Sequence, residues 1–313
     1  MSWRTDDIPD LTGKRAVITG ITGGLGFSTA RELARHGAEL VVTARSESKA
    51  AEYLARLRDD VPDVVVDLVV FDLASLADTK RAASEVLSGY DRIDMLINNA
   101  GIMATPRSTT VDGFELQIGT NHLGHFAWTG TLWPLLNASD ARIVTVSSLM
   151  HAPASGIDLR SLTLEGSPRR YWRWQSYSES KLANLSFALE LNRRVKAAGL
   201  GVESVAAHPG YALTNLQKTG TSMGGGINAL AGTAFQQVSR IVGQSAEMGA
   251  WPLLLAATDP SLTGGEYVGP SSLGQTRGRP KLVGMTRWAR DEDLADNLWQ
   301  ASEAATGVEF AVG

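Results

Sequence analysis

A glycine-rich turn between a short apolar segment and a helical pattern constrains the fold more than any other feature of the chain. Residues 16–19 are apolar and β-branched, which predicts a buried strand. A glycine-rich run follows at 20–26, and a helical pattern continues from about residue 27 to 36. Glycines let a backbone approach a pyrophosphate closely, and a helix N-terminus offers free N–H groups and the positive end of its dipole. Strand, glycine turn and helix in this order predict a dinucleotide site, although such turns also occur without a ligand. The residues assigned to that site are Gly20, Thr22, Gly23, Gly24, Leu25 and Gly26.

The rest of the chain continues the alternation of strands and helices. Further strands are predicted at about 39–43, 64–71, 93–97, 142–146, 202–207 and 264–269, and a helix at 245–257. This spacing predicts an α/β fold, a Rossmann-type doubly wound parallel sheet with helices on both faces. We interpret residues 1–313 as a single domain. It carries an insert at about 149–176, a lid loop at about 215–245 and a C-terminal helical extension at about 287–313.

The residues that follow the second and third strands bear on the choice of cofactor. An acidic side chain after the second strand would hydrogen-bond the ribose 2′-OH of NAD. This chain has Ala44 and Arg45 there, and a guanidinium can hold a 2′-phosphate. NADP(H) is therefore the preferred cofactor, with NAD(H) possible, unless Arg45 is simply a solvated surface residue. Asp72 and Leu73 end the third strand, at the sheet edge where ligands bind.

Tyr177 and Lys181 are the strongest candidates for acid–base chemistry. They are four residues apart in a helical pattern, so their side chains share one face. A free tyrosine has a pKa of about 10, and a neighbouring ammonium favours the phenolate and lowers that pKa. The pair taken alone is weak evidence, because two solvated residues on a helix give the same spacing.

Together with the other motifs, this pair resembles the short-chain dehydrogenase/reductase family. The markers occur in the family's order: Thr19-Gly20-x-x-x-Gly24-x-Gly26, Asp72, Asn98-Asn99-Ala100-Gly101, Asn121, Ser148, Tyr177-x-x-x-Lys181 and Pro209-Gly210. They extend from about residue 14 to 214, and the segments 121–126 and 177–184 are most similar to retinol-dehydrogenase-like members.

The resemblance implies roles for individual residues. Ser148 would bind the substrate oxygen, with Ser147 as the fallback, and Tyr177 would transfer the proton. Lys181 would lower the pKa of Tyr177 and bind the nicotinamide ribose, and Asn121 would hold a water that links Lys181 to solvent. The further cofactor contacts implied are Asp72, Leu73, Asn99, Ala100, Gly101, Pro209, Gly210 and Thr214.

Two departures from the family pattern affect these expectations. Many NADP-preferring members carry a basic residue where this chain has Gly23, so the NADP(H) preference rests on Arg45. The insert contains Arg169-Arg170-Tyr171-Trp172-Arg173-Trp174. This segment could be a nucleic-acid stacking platform, a packed aromatic cluster, or an apolar and partly cationic wall beside the active site. The net charge of −4 argues against nucleic acid.

Composition excludes several other functions. The chain has no cysteine, so it has no disulfides and no thiolate chemistry, which fits a cytoplasmic location. The histidines have no carboxylate partners at ligand spacing, and we predict no metal site. No apolar run has the length of a membrane span, and the acidic start is unlike a secretory signal. We expect a small-molecule substrate and no nucleic-acid or membrane partner, and we favour a homodimer over a monomer.

These observations predict an NADP(H)-dependent oxidoreductase that interconverts a hydrophobic or aromatic ketone or aldehyde and the corresponding alcohol. One alternative is a dinucleotide-binding regulatory protein that has lost turnover. Another is an isomerase or dehydratase on the same scaffold, which would use Tyr177 without net hydride transfer.

Overall fold

An eight-stranded sheet forms the centre of the part of the chain that the structure describes. The computed structural model describes residues 3–212 and 243–312. The strands are β1 (Arg15–Ile18), β2 (Glu39–Ala44), β3 (Val66–Val70), β4 (Met95–Asn98), β5 (Arg142–Val146), β6 (Glu203–Ala207), β7 (Tyr267–Ser272) and β8 (Arg277–Leu282). Their order in the sheet is β3-β2-β1-β4-β5-β6-β7-β8, and only β8 is antiparallel to its neighbour. The doubly wound parallel α/β fold is therefore confirmed.

The sequence analysis missed β8. Its sequence RGRPKL alternates cationic residues with small ones and has no apolar face that would mark a buried strand. Charged side chains and proline are typical of an edge strand, where they discourage pairing with another chain. The predicted lid falls almost entirely outside the described residues.

Helices cover both faces of the sheet. They are α1 (Gly24–Arg35), α2 (Glu47–Asp60), α3 (Leu76–Gly89), α4 (Leu116–Ile118), α5 (Gly124–Ala138), α6 (Arg173–Ala197), α7 (Ala246–Thr258) and α8 (Glu292–Thr306), and a π-helical turn, Gly119–Leu123, joins α4 to α5. Ser46, Ser75, Ser245 and Asp291 cap four of them by accepting a backbone N–H from the first turn.

The alternation of strand side chains produces two cores. Ile18 and Val42 pack with α1 and α7 on one face, whereas Val17 and Val41 face the opposite side, towards Phe126 of α5. Neighbouring residues on a strand point to opposite faces, so central strands covered on both sides are apolar throughout. The strand order reverses between β1 and β4, which creates a crevice at their carboxyl ends.

The C-terminal helix packs on the same chain. Trp299 of α8 is buried against Phe126 and Phe187, and His122 Nε2 lies 2.7 Å from Ser302 Oγ. An ion pair between Arg194 of α6 and Asp296 of α8 adds to this contact. A homodimer built on this face of α6 would therefore have to displace α8. No helix within residues 3–212 and 243–312 is long and apolar enough to cross a membrane.

Candidate active site

The glycine turn after β1 closes tightly on the first turn of α1. A Cβ atom on Gly26 would lie 2.2 Å from Gly20 O and 2.8 Å from Asn99 Nδ2, so a larger residue would displace the turn. Gly20 itself has φ +83°, a conformation that favours glycine. Helix α1 begins at Gly24, earlier than the sequence pattern indicated, and Gly23 caps it without a side-chain hydrogen bond. The first N–H groups of α1 are thus available to an anionic ligand.

The segment after β4 is hydrogen-bonded to this turn. Thr19 Oγ1 accepts from Asn99 N at 2.9 Å and from Ala100 N at 3.0 Å, while Asn99 Nδ2 donates to Thr19 O at 2.7 Å. His125 Nε2 lies 2.9 Å from the same hydroxyl, and its Nδ1 lies 2.9 Å from Asn121 O. Because a carbonyl only accepts, Nδ1 carries the proton and Nε2 accepts from Thr19. Burial lowers the pKa of His125 to about 4, so the ring is neutral.

His125 is a residue whose role sequence reasoning missed. A single histidine in an apolar helix gives no indication that it joins Thr19 to Asn121, since these residues come together only in the fold. Its Nδ1 also donates to the backbone oxygen of Asn121, four residues earlier in the chain.

The expected cofactor residues after β2 and β3 lie at the carboxyl end of the sheet. Arg45 directly follows β2, is exposed, and makes no hydrogen bond or ion pair with any described residue. Asp72 follows β3 and accepts a hydrogen bond from Ala74 N at 2.9 Å through Oδ1, which shapes the connection to α3. Leu73 is buried beside it. A guanidinium without a partner at this edge fits a phosphate ligand.

Ser148 and Tyr177 meet between β5 and the first turns of α6. Burial raises the pKa of the Tyr177 phenol to about 12, and a hydrogen bond with Ser148 lowers it only in part. Ser148 Oγ also accepts from Met150 N at 3.1 Å. Ser147 is a different case, because its buried hydroxyl donates to Lys181 O at 2.7 Å and holds α6 against β5.

The sequence spacing suggested that Lys181 lowers the pKa of Tyr177, but burial raises this pKa instead. The Lys181 ammonium donates to Val146 O at 3.1 Å and lies 5.9 Å from the centroid of the Tyr177 ring. Burial lowers the pKa of Lys181 to about 8, which reduces its charge above neutral pH. Burial therefore shifts the two groups in opposite directions, raising the pKa of Tyr177 and lowering that of Lys181.

Asn121 connects the segment after β4 to the helix that carries Tyr177. Its side chain accepts from Ile102 N at 2.8 Å, and its Nδ2 donates to Ile102 O at 3.0 Å and to Ser180 Oγ at 2.9 Å. A Cβ atom on Gly101 would lie 3.0 Å from Asn121 Oδ1 and 3.6 Å from Lys181 Nζ. Gly101 therefore allows both side chains to approach the crevice closely.

His151 and Tyr267 both bind the backbone oxygen of Ser148, which the sequence did not indicate. His151 Nδ1 donates to Ser148 O at 2.7 Å, and the Tyr267 hydroxyl donates to the same oxygen at 3.3 Å. These two bonds hold the backbone of Ser148. Their effect is to orient a serine side chain that faces Tyr177.

The remaining cofactor candidates are only partly described. Pro209 and Gly210 follow β6, and a Cβ atom on Gly210 would lie 2.4 Å from Thr276 O in the β7–β8 turn. Thr214 lies outside the described residues. His208, just before Pro209, is buried beside Gln275, and burial lowers its pKa to about 3. His208 is therefore a neutral core residue.

The aromatic residues of the insert have separate environments. The Tyr171 hydroxyl donates to Thr105 O at 3.0 Å, and Trp174 packs edge-on against Tyr177 with their ring centroids 6.4 Å apart. Trp172 instead faces solvent. The insert and the start of α6 thus supply an aromatic wall beside the phenol, and both indoles are exposed, Trp172 more than Trp174. No group of side chains in the described part of the chain could hold a metal ion.

Comparisons with known proteins agree with this geometry. The family model described as short chain dehydrogenase matches residues 14–156. The chain is 35% identical to human retinol dehydrogenase 13 over 96% of its own length and 86% of that protein. It is 34% identical to mouse polyprenol dehydrogenase, covering 98% of this chain and 88% of the relative. A crystal structure of an uncharacterized protein from Mycobacterium paratuberculosis aligns with a TM-score of 0.79 and 39% identity over 99% of both chains.

Proposed function

The chain belongs to the short-chain dehydrogenase/reductase family, in its retinol-dehydrogenase-like branch, and is an NAD(P)-dependent oxidoreductase; we propose that it interconverts an apolar ketone or aldehyde and the corresponding alcohol, with NADP(H) preferred. The observation that carries this proposal is the meeting of Ser148, Tyr177 and Lys181 beside the glycine turn at the carboxyl end of the sheet.

The residues around the crevice fit a nicotinamide dinucleotide. The turn at residues 20–26 and the uncapped start of α1 would receive the pyrophosphate, and Arg45 would receive the 2′-phosphate. Asp72, Leu73 and the Asn99-Ala100-Gly101 segment would line the nucleoside, and Lys181 would bind the ribose. The bound nucleotide supplies or accepts the hydride.

Tyr177 is suited to act as the general acid in carbonyl reduction. With a pKa of about 12, its phenol keeps its proton at neutral pH and can donate it to a substrate oxygen. The Ser148 hydroxyl is a second donor, and the two together would stabilise negative charge that develops on that oxygen. In alcohol oxidation the proton would pass in the opposite direction, to the phenolate form of Tyr177.

The wall of the site supports an apolar substrate. Trp174 lies edge-on to the reacting phenol and is partly exposed, so its ring is available to a bulky carbon skeleton. The names of two relatives, retinol dehydrogenase 13 and polyprenol dehydrogenase, refer to apolar alcohols.

The test is NADPH oxidation with a panel of apolar ketones and aldehydes. A regulatory protein would bind NADPH without consuming it, and an isomerase would convert its substrate without net oxidation of the nucleotide. Tyr177→Phe removes only the hydroxyl, so kcat should fall about 10²- to 10⁴-fold while NADPH affinity changes little. Unchanged turnover in this variant would contradict the role of Tyr177.

A further inference from the structure

Exposed apolar side chains are concentrated at one end of the molecule. Among described residues the large exposed ones are Val65, Val111, Leu164, Trp172, Trp174, Leu273 and Leu282. Four of these lie in connections that follow β4, β5 or β7, and Trp174 lies in the first turn of α6, at the end of the sheet that carries the candidate active site. Val65 and Leu282 lie at the opposite end, at the start of β3 and the end of β8. Scattered exposed residues need no explanation, but a concentration of them marks an interaction surface.

Several of these side chains surround one shallow cleft. Leu164 and Trp172, which are 71% and 67% exposed, line it together with Arg107 and Arg170. Gly113 lies against Leu164, because a Cβ atom on this glycine would be 3.2 Å from Leu164 Cδ2, and Val111, 82% exposed, is two residues before Gly113 in the chain. We call Arg107, Val111, Leu164, Arg170 and Trp172 the rim patch. The cleft volume of ≈ 190 Å³ is below the roughly 300–1,000 Å³ of small-molecule pockets, so the patch is better suited to surface contact.

The charges of this region leave two cations free. Arg107 and Arg170 are exposed and have no ion pair or hydrogen bond with any residue in 3–212 or 243–312. The cleft carboxylate of Glu179 is paired with Arg169. The carboxylate of Glu115 is hydrogen-bonded by Ile118 N and Tyr171, whereas Glu165 at the edge is exposed. Unpaired guanidiniums next to an exposed indole suit a partner whose outer layer is anionic and whose interior is apolar.

The rim patch adjoins the candidate active site. Trp172 directly precedes α6, and Trp174, two residues later, contacts the ring of Tyr177. A surface that docked on Trp172 would therefore lie close to the opening through which a substrate reaches the phenol.

We propose that the rim patch docks on the surface of a lipid bilayer that contains anionic headgroups. Trp172 and Leu164 insert into the interfacial layer, and Arg107 and Arg170 contact lipid phosphates. The proposed function provides the reason for such docking, because an apolar alcohol or ketone dissolves in the bilayer. The docking itself does not depend on turnover. Neither net charge nor hydropathy of the whole chain indicates it, since the patch forms only when segments 107–113 and 164–172 meet.

Vesicle flotation of the full chain tests the proposal. The protein is mixed with phosphatidylcholine vesicles, with or without phosphatidylserine, and the bound fraction is measured. We expect stronger binding to the anionic vesicles. Leu164→Glu or Trp172→Glu should each lower the vesicle affinity at least about tenfold, because each variant loses an apolar side chain that would be partly buried in the bilayer surface. The matched control is Leu282→Glu, an equivalent change of an exposed leucine (56%) at the opposite end, which should bind as the parent does.

Three results would overturn the proposal: no flotation with either vesicle, equal losses in Leu164→Glu and Leu282→Glu, or self-association of the parent that Leu164→Glu abolishes. The last would identify a second copy of the chain as the occupant. NADPH oxidation with a short, water-soluble ketone separates this test from the proposed function. We expect the rim variants to retain that activity, so a protein that docks without turnover would contradict only the proposed function.

Discussion

Substitution of Gly26 by alanine tests the nucleotide turn most directly. The added methyl group would lie 2.2 Å from Gly20 O, and contacts below 3.0 Å essentially do not occur, so the first turn of α1 must move by about 0.8 Å or more relative to Gly20. Overpacking of this kind costs about 1–3 kcal/mol. If the whole cost were borne by the nucleotide complex, the affinity for NADPH would fall roughly 5- to 150-fold.

The assay combines thermal unfolding without nucleotide and a fluorescence titration with NADPH. Gly89→Ala is the matched control, because a Cβ atom on Gly89, at the end of α3, meets nothing within 4 Å. The control should be neutral or slightly stabilising, since alanine has the higher helix propensity. Gly26→Ala should be less stable, bind NADPH more weakly, or both. If the two variants had the same stability and the same affinity, the close approach of α1 to the turn would not matter, and the reasoning would be refuted.

Three other perturbations follow from the described contacts. Arg45→Asp removes the free guanidinium and adds a charge that repels a 2′-phosphate, so the ratio of kcat/KM for NADPH to that for NADH should fall at least about tenfold; an unchanged ratio would exclude Arg45 as the phosphate ligand. Trp299→Ala empties a buried aromatic site between α6 and α8 and should lower the free energy of unfolding by about 3–5 kcal/mol in urea titration; a loss below 1 kcal/mol, on the order of a surface change, would show that α8 is not held there. Burial lowers the pKa of His122 to about 3 and that of His125 to about 4, from an unfolded value of 6.5. At a pH between the folded and the unfolded pKa of each ring, the unfolded chain therefore binds more protons than the folded protein. The stability they contribute is fully present above pH 6.5 and is lost as the pH falls towards 4, by about 2 kcal/mol for each histidine at pH 5; equal urea midpoints at pH 7 and pH 5 would contradict their burial as neutral rings.

Local patterns were sufficient to predict the sheet and most of its helices. Strands β1 to β6 are apolar runs bounded by polar or glycine residues, and these runs alternate with helical periodicity. Such signals depend only on neighbours in the chain. The boundaries were less accurate where residues serve two purposes, as at Gly24, which belongs to both the turn and the start of α1. Strand β8 was missed because an edge strand with cationic residues has no apolar pattern.

The chemistry of the candidate site depended on contacts that no local pattern contains. The spacing of Tyr177 and Lys181 suggested a phenol made more acidic, yet burial raises the pKa of Tyr177 and lowers that of Lys181. Desolvation is a property of the surrounding fold, so it cannot be derived from two residues on one helix. The bonds from His125 to Thr19 and from His151 to Ser148 likewise join residues that come from different elements.

The sequence by itself determined the order of strands and helices, the glycine turn and the set of polar residues at the strand ends, because these follow from backbone conformation and periodicity. Only the tertiary structure decided which of those side chains are buried and paired, that α8 covers α6, and that exposed apolar residues gather at the active-site end. The physical reason is that burial and electrostatic free energies depend on which distant segments meet, and chain order does not specify that.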